Sequence, residues 1–387
     1  MPGRLYRWLS PWLLLPCLTV SLSLVSCSAD PQPNFVIIIA DDLGWNDVGA
    51  YGNPSVYTPN IDALALRGIR FTQAFLTTSS CSASRASILT GKYPHSNGLT
   101  DLHQPLPASQ DTLAKLLGKA GYYTVSSGKW HLGKEVQSQF DLVQHDRRGS
   151  GTRHWPRLLQ SLPADRPFFL WLASTDPHRP HEEGRAFLSR YDKSTLALPD
   201  GFVDGKGVRS ELLAYYLEVS SFDEDVGEVL DALHAQGHLE NTVVIVMSDN
   251  GRPFTRAKQM LYDDGIKTPF ILHWPRGMGE PGEYSQLISA VDIAPTILEL
   301  ARLQVPDDMQ GVSFAPVFSD RQRRIREYVF AERNRHATPA HERAVRSMTF
   351  LYKENQYPAG GDCTTSSYRR QPHQKALRRA QAAGALS

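Results

Sequence analysis

Two continuous apolar runs, Asn34-Phe35-Val36-Ile37-Ile38-Ile39-Ala40 and Thr242-Val243-Val244-Ile245-Val246-Met247, constrain this chain more than any other feature. Neither alternates polar with apolar residues, so neither suits a strand with one wet face. Both read as inner strands covered on two sides. Each stops abruptly at acid: the first at Asp41-Asp42, the second at Ser248-Asp249-Asn250-Gly251. Adjacent carboxylates at the end of an inner strand are costly unless something positive meets them. In an open α/β sheet that edge is also where ligands bind. The plain alternative for Asp41-Asp42-Leu43-Gly44 is a solvated turn.

A strand–helix rhythm surrounds these runs. Thr58-Pro59-Asn60 opens a helix over 61–67 that Gly68 stops. Ser109 is expected to cap a helix with the stripe Leu113, Leu116, Leu117 and Ala120, ended by Gly121. Strands are expected over 122–125, 168–173 and 269–274, and helices over 210–235 and 291–303. Residues 135–165 are weakly patterned and read as surface loops. From Arg326 the pattern shifts, with 328–332 and 344–351 alternating like strands of a small antiparallel sheet. Residues 369–387 read as a basic, alanine-rich helix or frayed tail. The expected architecture is therefore α/β: a central mixed, mostly parallel sheet covered by helices on both faces, over residues 32–325. A partial C-terminal antiparallel subdomain and the basic tail occupy 326–387.

With 387 residues the chain can bury a large core, as one domain or a large and a small one. A formal charge of +1 and the absence of a long Lys/Arg block before the tail give no footing for a nucleic acid partner. Arg4 and Arg7 precede an apolar stretch over 12–24 that ends in Leu24-Val25-Ser26-Cys27. Residues 1–27 thus read as an export signal whose end resembles a bacterial lipobox, with Cys27 as a lipid anchor. The expected location is the periplasm or the outer membrane, with simple secretion after cleavage near Ser28 or Ala29 as the alternative. Processing would remove Cys17 and commit Cys27 to lipid or lose it, leaving Cys81 and Cys363, which are expected to stay unpaired.

Ser79-Ser80-Cys81-Ser82-Ala83-Ser84-Arg85 leads into a short helical pattern that Gly91 stops. Cys81 falls at the helix start, where free N–H groups favour an anion, and Arg85 shares its face. Taken locally, this fits an ordinary core cysteine as well as a nucleophile. Asp41, Asp42, Asp249 and Asn250 are oxygen donors without the His/Cys cluster that zinc prefers, so a hard cation, calcium before magnesium, is the expected partner.

Cys81-Ser82-Ala83-Ser84-Arg85 resembles the Cys-x-Pro/Ala-x-Arg maturation site of the formylglycine-dependent sulfatases, a branch of the alkaline-phosphatase-like superfamily. Asp41-Asp42, Asp249-Asn250-Gly251 and Gly128-Lys129-Trp130-His131-Leu132-Gly133 match companion motifs of that family. The resemblance implies an alkaline-phosphatase-like fold and the conversion of Cys81 to 3-oxoalanine (formylglycine). A formylglycine-generating or anaerobic sulfatase-maturing enzyme would perform that conversion. It further implies one Ca2+ held by Asp41, Asp42, Asp249, Asn250 and the modified Cys81. Arg85 would orient the modified residue and Lys129 would bind sulfate. His131 would act as the base that releases sulfate, and His178 and Lys258 would face the leaving-group oxygen. Lys267 is expected to be structural or at the rim, because Lys258 occupies the family position.

Residues 81–98, Asp176-Pro177-His178-Arg179 and Glu332-Arg333-Asn334-x-His336 are most similar to the N-sulfoglucosamine sulfohydrolase-like group. That implies a sulfated mono-, oligo- or polysaccharide carrying O- or N-linked sulfate. Asp101, His103, Arg179, Glu332, Arg333 and His336 become candidates for the sugar rim, with ordinary surface or interdomain pairs as the alternative. Two rivals stand beside this reading. One is a phosphonate or phosphate-diester hydrolase of the same superfamily. The other is a non-catalytic carbohydrate-binding lipoprotein in which Cys81 stays a thiol. The resemblance covers about residues 32–350, and family members usually carry a longer C-terminal subdomain, so a reduced lid or a truncated sequence is expected.

Overall fold

The computed structural model describes residues 3, 31–145, 150–181, 185–357 and 370–385. The stretch expected to be an export signal, the expected anchor Cys27, Cys17 and Cys363 lie outside the described residues. The elements in chain order begin with β1 (Asn34–Ala40), α1 (Pro59–Arg67), β2 (Ile69–Phe71), β3 (Ala74–Phe75) and α2 (Cys81–Thr90). Next come α3 (Pro94–Asn97), α4 (Leu113–Lys119), β4 (Tyr123–Gly128), β5 (Leu142–His145) and α5 (Trp155–Gln160). Then follow β6 (Phe168–Ala173), the long α6 (Lys206–Ala235), β7 (Thr242–Ser248), α7 (Asp263–Ile266) and β8 (Phe270–His273). The series ends with β9 (Gly282–Tyr284), β10 (Ile288–Ser289), α8 (Ile293–Leu300), β11 (Val329–Arg335), β12 (Pro339–Arg346) and β13 (Leu351–Asn355).

Eight strands form one sheet in the order β5-β4-β6-β1-β7-β8-β2-β9. The first five are parallel to one another, β8 runs antiparallel to β7 and to β2, and β9 is parallel to β2. The two acid-terminated runs are thus neighbours at the centre, with Ile39 opposite Met247 and Ala40 opposite Ser248. Their lack of polar alternation has a direct cause. Phe35, Ile37 and Ile39 enter one core with α2, α4 and α8, while Val36, Ile38 and Ala40 enter a second core with α1, α5 and α6. A strand buried on both faces has no position for a polar side chain. The expected mixed, mostly parallel sheet with helices on both faces is what the chain forms. Among the described residues no helix is long and apolar enough to cross a membrane.

Several local expectations need correction. The α4 cap is Thr112, whose hydroxyl accepts the Lys115 N–H; Ser109 lies outside the helix. Residues 135–165 are not all loop. They supply β5, whose edge position leaves it half-exposed, and α5, too short for a clear stripe, which buries Trp155, Leu158 and Leu159. The long helix starts at Lys206 rather than 210, and the helix expected over 291–303 is α8, which follows a 3-10 turn at Ala290–Asp292.

The alternating 344–351 stretch is two strands with a turn between them. The Ser347 hydroxyl accepts N–H bonds from Thr349 and Phe350, and its N–H donates to the Phe350 carbonyl, which reverses the chain. β11, β12 and β13 form the small antiparallel sheet. Its inner face, Val329, Ala331 and Ala344, packs on Phe75, Leu261, Ile266 and Leu287. Part of the expected tail is a helix, Pro372–Ala382.

Candidate active site

Four adjacent parallel strands, β4, β6, β1 and β7, bring their carboxyl ends to one edge of the sheet, and the backbone ladder runs on past them. Lys129 N–H donates to Ala173 O, Ser174 N–H to Ile39 O, and Asp249 N–H to Ala40 O. This extension delivers Lys129, His178, the Asp41-Asp42 pair and the Asp249-Asn250 pair to one place. Asp42 sits in a left-handed conformation at φ 73°, which turns the chain sharply out of β1. Two glycines are required by close backbone approach. A Cβ on Gly251 would lie 1.7 Å from the Asp264 carbonyl oxygen, and one on Gly128 (φ 94°) would lie 2.0 Å from that of Ala173.

α2 meets this edge with its first residue. Ser80 is extended, Cys81 opens the helix, and Gly91, left-handed at φ 65°, closes it. The whole helix is buried. One ligand atom each from Asp41, Asp42, Cys81 and Asp249 lie within 4.8 Å of one another. The Cys81 sulfur is 4.0 Å from Asp42 Oδ1. Asn250 joins them, its amide donating to Asp42 Oδ1 at 2.6 Å. Three cations answer three carboxylates. Arg85 Nε donates to Asp249 Oδ2 at 2.7 Å, Lys129 pairs with Asp41, and Lys258 pairs with Asp42 at 2.6 Å.

The electrostatics follow from this crowding. Burial pushes the Asp41 carboxyl upward, but Lys129, His178, Lys258 and Arg85 outweigh it and hold the group well below the usual carboxylate range. Asp249 is pushed up by burial and by the Asp41 charge, against Arg85 and Lys129. Burial drives the Cys81 thiol up to about 12, so it remains protonated and is a poor nucleophile as it stands. His131 is pushed down to about 2 by burial, Lys129 and Arg85, and stays neutral. His178 gives its Nδ1–H to the Arg179 carbonyl and turns Nε2 toward Asp42 Oδ2, 3.8 Å away.

Asp41 Oδ1 and Asn250 Oδ1 are buried acceptors that meet no donor among the described residues. Bare oxygens beside a carboxylate cluster suit a hard divalent cation. A cavity of about 860 Å³ opens beside the cluster. Asp41, Lys129, His131 and His178 line it together with His103, Trp130, Lys134, Glu135, Gln137, His145 and Thr175. Its volume lies in the range of small-ligand pockets, roughly 300–1,000 Å³.

The expected rim divides. His103 lines the cavity and holds the His131 ring, Nδ1 to Nε2, at 2.7 Å. His336 approaches from the end of β11, its Nδ1 3.0 Å from the Ser80 hydroxyl, and burial and Lys258 hold its ring well below the imidazole range. Asp101 bridges to Arg335 through the backbone.

Arg179, Glu332 and Arg333 are occupied elsewhere. Arg179 pairs with Glu211 on α6 at 2.6 Å and lies over the Phe254 ring. Glu332 takes the His95 N–H and ring at 2.7 and 2.9 Å, and Arg333 pairs with Glu342 at 3.2 Å. Lys267 holds its ammonium 3.8 Å from the centre of the Trp45 ring. Missed in the sequence were the cavity residues Lys134, Glu135, Gln137 and His145. The first two directly follow the Gly128–Gly133 motif, which was signal enough, whereas His145 closes the unread strand β5. The strand β11 is fastened on both sides of position 81: Glu332 N–H donates to Thr77 O at 2.8 Å, and Leu102 N–H to Arg335 O at 3.2 Å.

Residues 33–303 match the family described as Sulfatase, and residues 254–357 match N-sulphoglucosamine sulphohydrolase, C-terminal. Human N-sulphoglucosamine sulphohydrolase is 34% identical over 326 residues, covering 75% of this chain and 64% of that protein. An ulvan-active sulfatase of Formosa agariphila is 30% identical over 317 residues, covering 80% and 62%. The chain therefore spans less than two thirds of the length of these two relatives. Two solved structures share the fold. One, in complex with its substrate D-glucosamine-2-N,6-O-disulfate, has a TM-score of 0.72 at 24% identity and covers 83% of this chain and 88% of its own. The other, in complex with k-i-k-neocarrahexaose, has a TM-score of 0.70 at 22% identity and covers 92% and 93%.

Proposed function

The chain belongs to the sulfatase family, and from that premise we propose that it hydrolyses O- or N-linked sulfate from a sulfated carbohydrate. In this reading Cys81 is converted to 3-oxoalanine and one Ca2+ is held by Asp41, Asp42, Asp249, Asn250 and residue 81. The convergence of those four acidic and thiol ligand atoms within 4.8 Å, at the start of a buried helix, carries the proposal. The bare oxygens of Asp41 and Asn250 fit a calcium ion, and the raised thiol of Cys81 fits a residue that needs conversion before it can attack. The bound ion would polarise the sulfate oxygens, and the hydrated aldehyde would supply the nucleophilic oxygen.

The remaining work falls to the chain's own side chains. Arg85, Lys129 and Lys258 place three positive charges around position 81, where an anionic sulfate group needs its oxygens held and its sulfur presented in line. His178, with Nδ1 tied to a carbonyl, offers Nε2 to the departing oxygen or nitrogen. Neutral His131 is available to accept a proton when sulfate is released. The relatives support a sugar substrate: the human one is named for N-sulphoglucosamine, and a fold neighbour was solved with a glucosamine disulfate. The pattern of Arg4, Arg7 and the apolar run before Cys27 supports export, with a lipid anchor at Cys27.

The test is a panel of sulfated mono- and disaccharides, run beside matched phosphate diesters with calcium present on protein matured in a competent host. Faster sulfate release supports the proposal. Faster phosphodiester cleavage, or a Cys81 peptide whose mass remains that of the thiol in active native protein, overturns it.

A further inference from the structure

We propose that His103 is a positioning residue that fixes the tautomer of His131, its Nδ1 accepting a hydrogen bond from His131 Nε2–H and leaving His131 Nδ1 as the bare base of the site. The inference rests on the sulfatase reading only for what that base is used for. The two ring nitrogens lie 2.7 Å apart and the ring centres 4.7 Å apart. A hydrogen bond between two ring nitrogens contains one proton, so one ring must donate and the other accept. His131 Nδ1 is buried and meets no partner among the described residues. A proton placed there would be an orphaned buried N–H, which folded proteins tolerate less often than an under-satisfied acceptor. Burial, Lys129 and Arg85 keep this ring neutral, so only one of its two nitrogens carries a proton. The shared proton therefore belongs on His131 Nε2, and His103 accepts it.

The surrounding backbone is built to hold this pair. His103 and His131 both sit in left-handed conformations, at φ 68° and 65°, uncommon for residues with a side chain. The loop carrying His103 is tied to the helix of Cys81 through His103 N–H to Ser82 Oγ at 3.3 Å. It is tied to the segment of His131 through Leu106 N–H to Leu132 O at 3.0 Å. Two strained positions facing each other, each anchored to the site, mark a relationship between rings rather than a chance surface contact.

Nitrogen-15 spectra of histidine-labelled protein with Cys81 unconverted test the assignment, with the His131 signals identified by their loss in His131→Gln. The expected result is a neutral Nε2–H ring in the wild type, a mixture of tautomers in His103→Leu, and restoration in His103→Asn, whose amide oxygen can accept. In matured enzyme, His103→Leu should lower kcat by on the order of ten- to a hundredfold with KM little changed, and His103→Asn should recover most of it. An Nδ1–H ring in the wild type, an unchanged tautomer in His103→Leu, or an effect on KM alone would overturn the proposal. Should the Leu variant misfold, the wild-type and Asn spectra still decide. A wild type that releases no sulfate removes the functional reading, while the ring spectra continue to test the hydrogen bond.

Discussion

The ammonium of Lys258 lies 2.6 Å from one carboxylate oxygen of Asp42 and 2.8 Å from the other. Both side chains are almost completely buried, at 3% and 1% exposure. Lys258→Met leaves that carboxylate with the Asn250 amide and the His178 ring, 3.8 Å away, in place of a lysine ammonium. Breaking one side of a buried pair costs about 3–5 kcal/mol. Chemical denaturation in chelator should show a loss of that order, and added calcium should recover part of it, because the ion replaces the missing charge. A Lys258→Met protein as stable as the wild type in chelator would refute this.

Calcium itself should stabilise the fold. Asp41, Asp42 and Asp249 converge only in the native chain, so an ion bound there favours the folded state by linkage, ~2.7 kcal/mol at a hundredfold excess over its Kd. Thermal unfolding should shift upward with calcium and back with chelator, and Asp249→Asn should abolish the shift. An equal shift in the variant would place the ion elsewhere.

Acid should destabilise the protein from the histidine range downward. His131, His181 and His273 are pushed from 6.5 to about 2, 4 and 4, each chiefly by burial, with Lys129, Arg179 and Arg67 respectively adding to it. The unfolded chain takes up these protons below 6.5 while the native chain does not. The stability is therefore fully present above 6.5 and is lost as pH falls toward the folded values. Asp223, raised to about 6 by burial, opposes this, because between 6 and 3.8 the native chain holds a proton that the unfolded chain releases. Urea midpoints should fall on acidification, and His273→Gln should flatten the slope. A midpoint that rises through this range would contradict the assignment.

Thr112→Ala removes the side-chain cap of α4, whose hydroxyl also donates to Gln139. Cap removal costs about 1 kcal/mol, up to about 2. Denaturation should show that loss with turnover unchanged, since α4 contributes to the core and not to the cavity lining. A changed kcat would mean that the helix positions the site.

The central strands and their acids were legible because burial on two faces leaves a signature in sequence, and an abrupt carboxylate breaks it. Cys81, Arg85, Lys129 and Lys258 were legible as motif members, and the fold brings them together. Charge does not separate the two readings at the rim, since Arg179, Glu332 and Arg333 read the same in sequence whether they meet a ligand or a protein partner. His103 and His131 were each candidates, but their pairing was not legible, because a contact across 28 residues depends on two left-handed turns. β5 and α5 were hidden by being short and at the margin of the sheet.

The attachment of β11 to both Thr77 and the Asp101–Leu102 loop gives the small sheet a hold on the peptide entering α2 and on the loop beyond it. A substitution that shifts this one strand by a fraction of an ångström would be felt at the thiol position before the main sheet loosened at all. Mutational damage in the C-terminal region should therefore register first as silenced chemistry in a protein that still melts normally.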